Sequence, residues 1–185
     1  MSQVLYCLAA VLVFALFGLS RQTSEADDRR ALDVLEVETA AHDVAQRWAA
    51  RIRSLPFDEA DRLRAAIRRD PVRDVADLTP ESGFGPGLEG GETAPDDVDD
   101  LHGVSVRDTA WVGPARDRPL LFDVFVEVRY AATTASGTAY PGTPTLAKEA
   151  RVIVLETQTA REAPVRVEVP VHTTAARQFL HAAAP

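Results

Sequence analysis

Apolar residues run almost unbroken over positions 4–19, and the chain turns polar at Arg21. Residues 1–20 carry no charged side chain. A helix rises about 1.5 Å per residue, so about 20 such residues span a hydrocarbon core of about 30 Å. Beyond Ser20 all-round apolarity gives way to periodicity. Val34, Val37, Ala41, Val44, Trp48, Ile52 and Leu55 recur at steps of three and four, one stripe of a helix. Glu36, Asp43, Arg47, Arg51 and Arg53 lie on the opposite side. No Gly or Pro interrupts residues 23–55, and Pro56 disfavours helical backbone at the residue before it. The spacing predicts one helix over about 4–55, roughly 75 Å long, apolar in its first half and amphipathic in its second.

Leu63, Ala66 and Ile67 predict a short helical turn ending near Asp70, before Pro71. Between Arg73 and Arg107 stand nine carboxylates and no Lys or Arg, punctuated by Gly and Pro, which predicts a surface loop. Strand patterning follows. In PLLFDVFVEVRYA, Leu120, Phe122, Val124, Val126, Val128 and Tyr130 alternate onto one side. In LAKEARVIVLET, Ala150, Val152 and Val154 share a face; in VRVEVPVHT, Val165, Val167, Val169 and Val171 do. Pro170 marks the last strand as an edge or a bulge. GVSVRDTAWV reads as a weaker strand ahead of them, and TASGTAYPGTPT as a turn-rich connection. Such a sheet has one apolar face to cover, and the helix stripe of Val34, Val37, Ala41, Val44, Trp48 and Ile52 supplies the cover. The expectation is an α+β chain: a long N-terminal helix on a small antiparallel sheet. Its divisions are an apolar segment at 1–22, the amphipathic continuation at 23–55, an acidic connection at 56–103 and the sheet region with its tail at 104–185.

Composition narrows the function. The chain has 185 residues, and net charge is −8, which argues against nucleic acid, whose phosphates need a basic face. Lys148 is the single lysine; the remaining basic residues apart from histidine are arginine. The one cysteine, Cys7, lies in the apolar run, so neither an intrachain disulfide nor a cysteine zinc site can form. No basic residue occurs within residues 1–20, and Ala15-Leu16-Phe17 and Gly18-Leu19-Ser20 make poor cleavage sites, which favours a retained anchor over a cleaved signal.

No catalytic constellation is visible, and the chain reads as a non-enzyme. His42, His102, His172 and His181 fall in helix, loop, strand and tail without metal-ligand spacing. DDVDD is the one place to argue a ligand: Asp96, Asp97, Asp99 and Asp100 offer hard oxygens to a structural Ca²⁺, though not at EF-hand spacing. The competing reading is a solvated acidic loop. No other cofactor is implied. Trp48 and Phe57 read either as core residues over the sheet or as aromatics at a subunit contact.

The uncharged opening continuing into an amphipathic helix, then a loop region, then a small sheet resembles type IV pilins and the pseudopilins of type II secretion systems. LPFDE, DDVDDLHG, FDVFVEVRY and AKEARVIVLE resemble strings of minor-pilin-like proteins at corresponding places. The resemblance implies a structural subunit of a cell-surface or envelope-spanning filament, partnered by copies of itself and by other pilin-like subunits. It implies residence in the membrane before assembly, and a place in the cell envelope as an inner-membrane-anchored protein, an extracellular filament, or both. Leu5, Ala9, Ala10, Leu12, Phe14, Ala15, Phe17 and Gly18 would then pack the helix bundle, the small residues letting backbones approach. The Gly-Phe-Thr-Leu-Ile-Glu type run of prepilins is absent, and residues 1–20 hold no acidic counterpart to its Glu. Arg21, Arg29 and Arg30 follow the apolar run, and by the positive-inside rule alone they would hold the remainder in the cytoplasm. The resemblance places it outside. The alternative is a monomeric single-pass anchor carrying a binding or accessory domain.

Overall fold

In the computed structural model the described residues are 2–58, 75–86, 95–113, 117–157 and 164–175, with the side chains of residues 2, 4, 5, 7–9 and 77 outside that set. The turn expected around Leu63, Ala66 and Ile67 lies outside the described residues. The chain divides into two compact units, Met1–Thr39 and Ala40–Pro185.

One helix, α1 (Ser2–Ser54), supplies the first unit and opens the second. Within the first unit, exposed i,i+3 and i,i+4 pairs line the polar stretch: Arg30 with Asp27 and Arg21 with Glu25. They support the helix by a few tenths of a kcal/mol each. Arg51 and Arg53 sit in the last turn, where cations oppose the negative end of the helix dipole.

The second unit is a helix on a sheet. Among the described residues six strands follow α1: β1 (Ser105–Val112), β2 (Arg118–Tyr130), β3 (Ala132–Thr134), β4 (Gly137–Ala139), β5 (Ala147–Glu156) and β6 (Arg166–Thr174). The main sheet is antiparallel throughout, in the order β1-β2-β5-β6. Its covered face is the set the alternation predicted: Leu120, Phe122, Val124, Val126, Val128, Tyr130, Ala150, Val152 and Val154 are all buried. Val167 and Val171 of β6 join them, while Val165 and Val169 are only half-buried. Pro170 lies in β6, an edge strand paired only with β5, where a missing N–H is tolerated. From Ala40 onward, α1 contributes Ala40, Ala41, Val44, Ala45, Ala49 and Ile52 to this core. Alanines hold four of those six positions.

The helix stripe is corrected at one end. Val34 is 37% exposed, whereas Val37, one turn later, is 3% exposed. The periodicity runs on past the point where burial stops, because periodicity records amphipathicity and not contact. Trp48 is half-buried, and its Nε1–H donates to Asp108 Oδ2 of β1 at 3.1 Å. The turn-rich connection holds the two-stranded β3-β4 hairpin, which the sequence pattern did not predict.

Candidate functional site

Two features stand out. The first is on α1. Tyr6, Val11, Leu12, Val13, Phe14, Leu16, Phe17 and Leu19 are all more than half exposed. Of the residues expected in a helix bundle, Ala10, Leu12, Phe14, Ala15, Phe17 and Gly18 are solvent-facing. Leu5 and Ala9 lie on the same helix, with side chains outside the description. Among the described residues no helix is long and apolar enough to cross a membrane. The uncharged run of the sequence continues upstream of Ala10, into positions whose side chains are mostly not described.

The second feature is the surroundings of Lys148. Residue 148 sits two positions before Ala150, so strand alternation sends its side chain to the covered face. The side chain is 0% exposed. Its ammonium donates to Phe57 O at 2.7 Å, Asp99 Oδ1 at 2.8 Å and Asp58 Oδ2 at 3.2 Å. Three acceptors match its three protons. The rings of Phe57, Phe84 and Tyr130 stand 4.5, 5.1 and 5.3 Å from the nitrogen. An isolated buried ammonium would be prohibitive, and these partners make it tenable.

The partners are themselves fixed. Thr79 N–H donates to Asp58 Oδ2 at 3.1 Å, and Tyr130 O–H donates to Thr79 O at 2.7 Å. Tyr130 N–H donates to Glu81 Oε1 at 2.8 Å. Burial, then the charges of Asp58, Asp99, Asp97 and Glu81, hold the Tyr130 phenol protonated far above its ordinary range. Asp97 Oδ1 accepts from the backbone N–H of Asp99 and Asp100 at 3.0 and 3.2 Å, which sets up the 3₁₀ turn Asp99–Leu101. Asp100 Oδ2 accepts from Asp96 N–H at 2.9 Å. Val98 N–H reaches back to Pro56 O at 3.1 Å, and Gly85 N–H to Asp99 O at 3.1 Å. Gly103 closes the segment at φ 73°, a left-handed conformation that favours glycine, and its N–H donates to Val126 O.

This corrects two expectations. The tract around DDVDD is not a solvated loop: Asp97, Val98, Asp99, Asp100 and Leu101 are buried. Nor do Asp96, Asp97, Asp99 and Asp100 converge as metal ligands. Asp97 and Asp100 spend oxygens on backbone N–H groups, and Asp99 faces an ammonium. Among the described residues no group of three or more His, Cys, Asp or Glu could hold a metal ion. The cation that Asp99, with Asp58, neutralises is the chain's own lysine. Asp97 Oδ2 and Asp99 Oδ2 are buried without a conventional donor among the described residues. Burial first, then the hydrogen bond and charge of Asp99, push the Asp97 carboxyl up to about 9, so it keeps its proton at neutral pH.

Phe57 is fully buried at this centre, whereas Trp48 belongs to the helix contact. The described histidines stay apart, and His181 lies outside the described residues. His102 Nδ1 accepts from Val128 N–H at 3.0 Å, His172 lies 3.7 Å from Glu149 on the opposite sheet face, and His42 is exposed. Lys148 was absent from the sequence-based candidates, although the alternation through Ala150, Val152 and Val154 points to it.

Comparison with protein-family models, with curated proteins and with solved structures finds no match.

Proposed function

We propose that this chain is a pilin-like structural subunit of a cell-surface or envelope-spanning filament, assembled through its N-terminal helix. One observation carries the reading. Eight large apolar side chains over residues 6–19 are exposed on a helix whose later residues cover a sheet. Burying a large apolar side chain is worth about 1.5–3 kcal/mol, so leaving eight in water is untenable, and lipid or other copies of the helix must cover them. No Gly or Pro linker separates that segment from the residues over the sheet. A simple tether has no need of a helical connection and is usually built from flexible residues. The order of helix, loop and sheet, with the four local strings, supports the pilin-like form of the reading.

Ala10 and Gly18 supply the test. A Cβ on Gly18 meets nothing within 4 Å in the chain itself, so a larger side chain there disturbs only what packs from outside. The double variant Ala10→Leu, Gly18→Leu is expected to insert in membranes as the parent does and to form few or no filaments. Cells are sheared, the released material is pelleted, and this protein is quantified in it. Parent protein that stays wholly with the membranes and leaves in detergent as a monomer would replace the proposal with a single-pass anchor bearing an accessory domain.

A further inference from the structure

Lys148 is the single lysine among twenty basic residues. Arginine serves the other ion pairs across the sheet and helix, as at Arg47, Arg107, Arg129 and Arg151. Arginine stays protonated, whereas a lysine in a dry site can give up its proton and act as a nucleophile. The chain keeps its one lysine amine fully buried, with a carboxylate oxygen 2.8 Å away.

The neighbours complete a reaction site. Asp58 Oδ2, 3.2 Å from Nζ, can take a proton from the nitrogen. Asp97 and Asp99 each hold a buried Oδ2 that no conventional donor reaches among the described residues. A proton shared between them satisfies both, and the raised affinity of Asp97 for its proton agrees with that arrangement. Asp97 is thus placed to protonate the Asp99 carboxyl. Backbone bonds from Asp99 and Asp100 to Asp97 Oδ1 fix its orientation. Three aromatic rings wall the site, so a pair of opposite charges there is poorly solvated, and a neutral amide removes both charges.

We propose that Lys148 and Asp99 condense into an intramolecular amide that joins β5 to the turn Asp99–Leu101. Asp58 accepts a proton from the ammonium, and the free amine attacks Asp99 Cγ while Asp97 protonates the carboxyl oxygen. The Nζ–Cγ bond forms and one Cγ–O bond breaks. That oxygen leaves as water with two protons, the number the nitrogen gives up. The third stays on the amide nitrogen, and Asp58 and Asp97 return to their starting states. No oxidant, reductant or external group enters the balance. The inference rests on the globular unit alone and is independent of filament assembly.

The test uses the full chain in detergent, denatured and digested with trypsin. An amide at Lys148 blocks cleavage there, so the expected product is a branched species joining residues 74–107 to residues 130–151, about 18 Da lighter than their sum. Lys148→Arg keeps the charge without the amine and is expected to yield only separate peptides. Asp97→Asn retains an oxygen for the backbone bonds; it is expected to fold, by circular dichroism, and to form the branched species about 100-fold more slowly. Folded parent protein yielding only separate peptides, cut at Lys148, would overturn the proposal. Fragmentation that maps the bond to Asp58 would overturn the choice of Asp99, and unchanged bond formation in Asp97→Asn would remove Asp97 from the reaction.

Discussion

Asp97 shows how one buried atom sets a pH response. Its carboxyl is pushed up to about 9 from 3.8, mainly by burial and then by Asp99, while the Asp100 backbone and Lys148 pull the other way. Between those two values the folded state holds a proton that the unfolded chain has released. Stability from this group is therefore complete below 3.8 and is lost as pH rises towards about 9. Asp97→Asn imitates the protonated form at every pH. Urea unfolding at pH 6 and pH 9 is expected to show a larger loss for the parent than for Asp97→Asn; equal losses would place the alkaline sensitivity elsewhere. The sequence made the carboxylates conspicuous and hid their partner. Lys148 looks like a surface residue by type, and only the period-two rule through Ala150, Val152 and Val154 assigns it to the interior. Its acceptors lie 49, 90 and 91 positions upstream, distances no local pattern spans.

At the scale of elements, α1, β2, β5 and β6 were legible because each carries a strong period, and β1 less so because its alternation is weak. β2 alternates in burial from Leu120 to Tyr130, although Leu121 and Phe125 interrupt the polar side. The β3-β4 hairpin was not legible: its strands are three residues each, too short for alternation. A tight turn holds it, with Thr134 Oγ1 donating to Gly137 O at 2.7 Å and Gly137 at φ 124°. The helix–sheet contact includes directional bonds that its apolar stripe does not reveal, the shortest of them Trp48 to Asp108 at 3.1 Å. Trp48→Phe keeps the ring's bulk and loses this bond, and is expected to cost about 1 kcal/mol in denaturant unfolding. A cost indistinguishable from zero would mean that packing alone seats α1 on β1. Arg47 reaches the same carboxylate at 3.5 Å, an exposed pair from which little stability is expected.

At the scale of the whole molecule, the α+β architecture follows from apolar faces that need cover, and the sequence displays those faces directly. What charge does inside the fold is less visible, since net charge counts every carboxylate alike and says nothing of which ones face inward. Because an ammonium occupies the middle of the acidic cluster, the domain is expected to melt at the same temperature with and without EDTA. A lower melting temperature in chelator would restore a structural calcium ion. The same arrangement also constrains the order of synthesis. Asp58 and Asp99 leave the ribosome well before Lys148, and β6 comes later still. Until then the covered face of α1 has no sheet to meet and the acidic residues have no cation. Closure of the domain thus waits for β6, a topology of distant contacts that folds slowly. On the function proposed above, the apolar opening would meet lipid during that interval, before the domain has closed.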